Sequence, residues 1–243
     1  MLKKKNSLIV MEVNILGVKT KIHLSFFIGF VVITWYLGQY IGYLESFILT
    51  FLFYLSLFLH EYGHYLEGKR LGYQIEGFVF HIIGATMLLK REILNHKDEF
   101  LMAYAGPLTS LILSFIYINI YFFTGIKIFD YLAALNFVVA FVSFIPIYPL
   151  DGGRILRALL SMKIGRRTAT YIVKTFSVLT ALGLLVLSIK MSFDGKYIEF
   201  FKYYFLSLFL LFFLQREIRV FLKRDLKFMK RRLTTVAINC KKL

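Results

Sequence analysis

Long apolar stretches separated by short polar ones set the rhythm of this chain. Six of them are long enough, at about 20 residues, to be read as membrane-spanning helices. They are His23–Gly42, Phe47–Leu66, Phe100–Phe123, Asp130–Ile147, Tyr171–Ile189 and Tyr197–Leu214. Trp35, Tyr36, Tyr40 and Tyr43 crowd the far end of the first, as an interfacial aromatic belt does. Between the second and third, Tyr73–Leu89 is apolar too, but rich in β-branched and aromatic residues and broken by Gly77 and Gly84. That pattern predicts extended strands or a re-entrant hairpin, packed against the helices because open strand edges cannot face lipid. Arg154–Thr170 reads as a basic loop. The expected fold is an all-α polytopic membrane protein with six transmembrane helices and a short membrane-associated β-hairpin between helices two and three. Residues 1–215 form one domain in this reading, and 216–243 a basic cytoplasmic tail.

Composition agrees with a membrane protein: 58% of the residues are hydrophobic and only 18% charged. The net charge of +16 would suit nucleic acid, but the order of the charges points elsewhere. With the N-terminus inside, 26 of the 30 lysines and arginines fall on the cytoplasmic side. Only Lys127, Lys190, Lys196 and Lys202 fall outside. This asymmetry predicts six spans with both termini cytoplasmic, and it explains the charge without nucleic acid. The basic tail then meets anionic membrane lipid. The start, MLKKKNSLIVMEV, has too short an apolar run for a signal peptide and no small-residue cleavage site. Cys240 is the single cysteine, so no cysteine cluster can hold a metal within one chain.

The polar exception within the apolar spans is His60-Glu61-Tyr62-Gly63-His64, near one end of the second. Ionisable groups inside a span are expensive and mark function by default. One buried histidine is more often a satisfied core residue than a ligand. Here three such groups share one turn, and each needs a partner in a poor solvent. His60 and His64 are four residues apart, so both rings leave one face of a helix and can reach one zinc ion. Glu61 can then act as general base towards water at that site. Gly63 leaves room for a substrate backbone or a neighbouring helix.

A third ligand is read from depth. The second and fourth spans both run from outside to inside, so His60, His64 and Asp151 of Pro149-Leu150-Asp151-Gly152-Gly153 fall near the same face. Asp151 is the natural choice, although an aspartate in such a turn is more often a helix-terminus residue. His81 is the main rival; His23 and His96 look interfacial and Asp130 external. Two other functions suit intramembrane histidines: a metal transporter, whose ligands would be spread through the depth, and an inactive scaffold that keeps the metal for packing.

HEYGH on the second span, AGP on the third and PIYPLDGG after the fourth together resemble the site-2 protease family of intramembrane zinc metalloproteases. KIHLSF and FIPIYPLDGGRIL resemble in particular its sporulation branch, which processes the precursor of sigma-K. The resemblance implies Zn2+ held by His60, His64 and Asp151, with Glu61 as catalytic base. It also implies a membrane-associated protein substrate, inhibitory membrane proteins as partners, and a bacterial cell or forespore membrane. Ser143 stands where the family loop has Asn, and Gly84-Ala85 where it has a Gly-Gly pair. The sporulation branch also carries a nucleotide-sensing domain, for which the tail 216–243 is too short, so ATP sensing is not expected.

Overall fold

A computed structural model of the protein describes residues 9–15, 17–82, 84–91, 93–195, 197–212 and 214–215. The basic tail 216–243 lies outside the described residues. Two compact units divide the chain, Met1–Ile145 and Pro146–Leu243.

The first unit opens with two strands, β1 (Ile9–Ile15) and β2 (Val18–His23). Helices α1 (Leu24–Ile41) and α2 (Tyr43–Arg70) follow, then β3 (Ile75–His81) and β4 (Gly84–Leu89). Helices α3 (His96–Thr124) and α4 (Lys127–Phe144) complete it. The expected hairpin is present as the antiparallel pair β3–β4, but it is half of a four-stranded sheet in the order β1-β2-β3-β4. β2 lies parallel to β3, with Thr20 opposite Phe78 and Ile22 opposite Phe80. A parallel pair needs a long crossover, and here α1 and α2 are that crossover. β2 and β3 approach so closely that a Cβ at Gly77 would strike the Lys19 carbonyl. The expectation of an all-α protein with a single hairpin is therefore corrected to helices with a four-stranded sheet. The signal was the alternation of Val18, Thr20 and Ile22 with Lys19, Lys21 and His23. Val18 and Thr20 are buried while Lys19 is exposed.

One face of the sheet rests on α2. Val18, Phe78, Phe80 and Ala85 form a buried cluster with Phe58 of α2, and Phe26, Tyr62 and Tyr65 pack against it. Phe58 stacks on Phe80 at 5.5 Å and meets Phe78 edge-on at 5.3 Å. Leu49 of α2, Tyr117 of α3, and Leu132 and Ala133 of α4 make a second cluster. The outer faces of the helices stay apolar and exposed, as in Val31, Phe115 and Phe141. Such surfaces suit lipid.

In the second unit, α5 (Asp151–Ile164) and α6 (Arg166–Phe193) are joined at Gly165, and residues 197–212 are helical. The basic loop expected over Arg154–Thr170 is corrected to α5 and the start of α6. Arg154, Arg157 and Lys163 sit on an amphipathic helix, with Asp151 in its first turn and Lys163 in its last, as the helix dipole favours. Among the described residues five helices are long and apolar enough to cross a membrane: α1, α2, α3, α4 and α6. The protein is an integral membrane protein. Of the residues expected as a sixth span, 197–212 and 214 are described and are helical.

Candidate metal centre

α2 is a wedge whose C-terminal half meets α3 on one side and the sheet on another. Towards α3 the contact is built from small groups. A Cβ at Gly63 would overlap Thr109 Oγ1 and come within 2.9 Å of the Ala105 carbonyl. Glycine thus lets the two helices touch nearly backbone to backbone, so the neighbour that Gly63 admits here is a helix.

The histidines lie on this face. His60 and His64 are 7% and 3% exposed, their rings 5.1 Å apart and steeply inclined at 80°. His64 Nδ1 lies 2.6 Å from the Met102 carbonyl oxygen. A carbonyl only accepts, so Nδ1 carries the proton and Nε2 the lone pair. His60 Nδ1 lies 2.9 Å from the Ser110 hydroxyl. That hydroxyl can accept in the same manner and hold the same tautomer. The two Nε2 atoms face one point, because a Cβ at Gly106 would overlap both of them. Helix α3 thus orients both rings from behind and leaves a glycine notch where their Nε2 atoms converge. Outer partners of this kind fix ring orientation and tautomer in metal sites.

Glu61 is one residue along, about 100° around the helix, and so faces the sheet. Its Oε2 accepts the Met87 N–H of β4 at 3.0 Å. Two further bonds hold the hairpin to the helices. Tyr54 donates its hydroxyl to the Ile82 carbonyl at 2.9 Å, and Ser25 Oγ accepts from the Ile82 N–H at 3.3 Å.

In the second unit, Asp151 is the first residue of α5. The turn before it is tight: Leu150 N–H donates to the Ile147 carbonyl at 3.0 Å, and Gly153 N–H to the Leu150 carbonyl at 3.1 Å. A Cβ at Gly153 would press on Ile147 and Tyr148 backbone atoms, so PLDGG needs its second glycine to fold back on itself. Tyr148 N–H donates to Ser177 Oγ of α6 at 2.8 Å, which anchors the turn. The Asp151 carboxylate is 16% exposed and 3.9 Å from Arg154.

His60 and His64 belong to the first unit and Asp151 to the second. Two imidazoles and a carboxylate are donors of the kind zinc takes. The other residues weighed as ligands have occupations of their own. His81 Nε2 bonds Thr86 Oγ1 across the hairpin at 2.7 Å. Burial, and secondarily His23, holds its pKa below the usual histidine range. His23 caps α1, its Nδ1 accepting from Ser25 N–H at 3.2 Å. His96 begins α3, and Asp130 lies in the first turn of α4. Ser143 is half-buried in the last turn of α4. The backbone partners, Met102 and Met87, left no signal in the sequence, because any residue can supply a carbonyl or an amide.

Comparison with known proteins bears on the same residues. A zinc metalloprotease of Methanocaldococcus jannaschii is 32% identical over 179 residues, 71% of this chain and 51% of the relative. The chain thus spans about half the length of that curated relative. A putative zinc metalloprotease of Mycobacterium tuberculosis, Rip3, is 32% identical over 113 residues, 43% of this chain and 29% of its own. The solved structure of a site-2 protease from Methanocaldococcus jannaschii superposes with a TM-score of 0.63 at 28% identity. It covers 85% of this chain and 94% of that one. The sequence pattern of peptidase family M50 matches residues 48–126 and 123–187, which take in α2, α3, α4 and the PLDGG turn. With that pattern running through the histidine pair and the aspartate turn alike, the chain belongs to peptidase family M50.

Proposed function

We propose that this protein is a zinc metalloendopeptidase of the site-2 type, hydrolysing a peptide bond in or beside the membrane segment of a protein substrate. The observation that carries the reading is the convergence of His60 and His64 Nε2 on the Gly106 notch, with Glu61 on the same turn. His60, His64 and Asp151 would hold the ion in this reading, as the motifs HEYGH and PLDGG within the family match imply. Zinc, when bound, supplies Lewis acidity that brings the pKa of a water towards about 7. Glu61 takes the proton of the attacking water and delivers it to the leaving amine. Ser110 and the Met102 carbonyl keep the imidazoles aligned. The scissile segment must be extended to expose its bond, and β4 offers an edge to which it can pair.

The same reading takes Tyr197–Leu214 as a sixth span and puts both termini in the cytoplasm, on the strength of the lysine and arginine asymmetry. The substrate class is a membrane-associated protein. The likeness of FIPIYPLDGGRIL to the sporulation branch puts a sigma-factor precursor among the substrates to try, with inhibitory membrane proteins as partners. Clustered ligands beside a general base disfavour a transporter.

Two substitutions test the assignment. Glu61→Gln keeps zinc and fold but abolishes cleavage of a co-expressed single-span substrate; retained cleavage rejects the base. Asp151→Asn lowers the zinc content of the purified protein. Unchanged stoichiometry moves the third ligand to His81.

A further inference from the structure

β4 is the outermost strand of the sheet among the described residues. Its residues alternate, with Thr86 and Leu88 exposed while Ala85 and Met87 turn inward. Backbone groups alternate with the same period of two. Met87 stands opposite Phe78 in the register with β3, yet its N–H is donated to Glu61 Oε2 at 3.0 Å. This amide therefore points away from β3, along the open edge, and Ala85 and Leu89 share that direction. A segment adding to this edge would use the Met87 N–H as a ladder donor. Glu61 already holds it.

We infer that the Glu61–Met87 hydrogen bond is a resting latch, opened when an incoming strand takes the Met87 N–H for its own carbonyl. The inference rests on the endopeptidase reading and adds to it. Seating the segment to be cut and releasing the base become one event, because both acceptors compete for a single donor. Until a strand arrives, Glu61 is held against the sheet. When one is seated, the carboxylate is turned towards water beside the extended bond. Met87 is a positioning residue in this scheme, and its backbone is the part that acts. Tyr54 and Ser25, gripping Ile82, keep β4 at the height where the exchange can occur.

The test is a binding measurement on the full chain, zinc-loaded and reconstituted in bilayers. The probe is a synthetic single-span peptide with a helix-breaking Asn-Gly pair near its cytoplasmic end. Glu61→Ala and Glu61→Gln both lack the base, so neither cuts the probe. Glutamine still accepts from Met87, whereas alanine leaves the amide to the incoming strand. Competition predicts that Glu61→Ala binds the probe about fivefold tighter than Glu61→Gln, the worth of one hydrogen bond of ordinary strength. Adding Met87→Pro to each variant should erase the difference. Proline is tolerated where a strand N–H faces an open edge. Equal affinities, tighter binding by Glu61→Gln, a difference that survives Met87→Pro, or no binding by either variant would overturn the latch. Should Met87→Pro not fold, hydrogen exchange at the Met87 amide decides. It should be faster in Glu61→Ala than in Glu61→Gln without probe, and equally slow in both with it. Equal rates without probe overturn the proposal. A wild-type protein that binds zinc but never cuts would reject the endopeptidase reading and leave this comparison readable.

Discussion

The two sides of α2 near His60 are built differently. The imidazole side meets α3 through Gly63, Ala105, Gly106 and Thr109, with both rings held by groups of a neighbouring helix. The carboxylate side meets a strand whose outer amides have no further strand among the described residues. Helix packing against glycine is stiff, since a single methyl has nowhere to go. A strand edge is adaptable, since its amides can change acceptors. On the proposed reading, the contrast suits ligands that stay put and a base that is released. It also separates the variants that should disturb metal binding from those that should disturb only the base.

The largest effect should come from Gly106→Ala. Its methyl would overlap the Nε2 atoms of His60 and His64, so either the helices part or the rings turn. Overpacking of this kind costs about 1–3 kcal/mol of stability. Zinc stoichiometry of the purified variant should fall towards zero. Full occupancy would show that the notch is not where the ligands converge. Ser110→Ala is a milder probe of the same side. It removes the hydroxyl facing His60 Nδ1 and should weaken zinc affinity about 10-fold, at the low end for such outer partners. A chelator competition series reads this directly.

Tyr54→Phe sharpens the contrast from the other side. It removes the hydroxyl that holds the Ile82 carbonyl, a loss of about 1 kcal/mol. Cleavage should slow while zinc affinity stays at the wild-type value. A parallel fall in zinc affinity would mean the two sides are one rigid body. The smallest effect is one of pH. The His81 pKa lies below its ordinary value because burial, and then His23, disfavour the charged ring. The unfolded chain then binds a proton more readily than the folded one. The contribution is complete above the unfolded value of about 6.5 and is lost as pH falls from there through the lower folded value. His81→Gln should flatten the decline in melting temperature between about pH 7.5 and 5.5. An unchanged slope would assign the decline to other groups.

Much of this was legible in residue order. The apolar runs located α1, α2, α3, α4 and α6 to within a few residues, because lipid and helix geometry both impose a length. β2 was hidden by Lys19 and Lys21, which read as part of an inside charge cluster although the alternation of Val18, Thr20 and Ile22 was there to see. α5 was hidden by its arginines, since an amphipathic helix of modest hydrophobicity looks like a loop beside strongly apolar spans.

Sequence alone determined that His60 and His64 share a helix face and that Glu61 diverges from it, because 3.6 residues per turn dictates directions on a single helix. It could not determine that His64 would find the Met102 carbonyl or that Glu61 would find the Met87 amide. Those partners lie 38 and 26 residues away, and backbone groups carry no residue-type signature. Which amide stands opposite a carboxylate is decided by strand register and by how deeply glycine lets two helices sink together. Both are properties of packed elements and of no single stretch of chain.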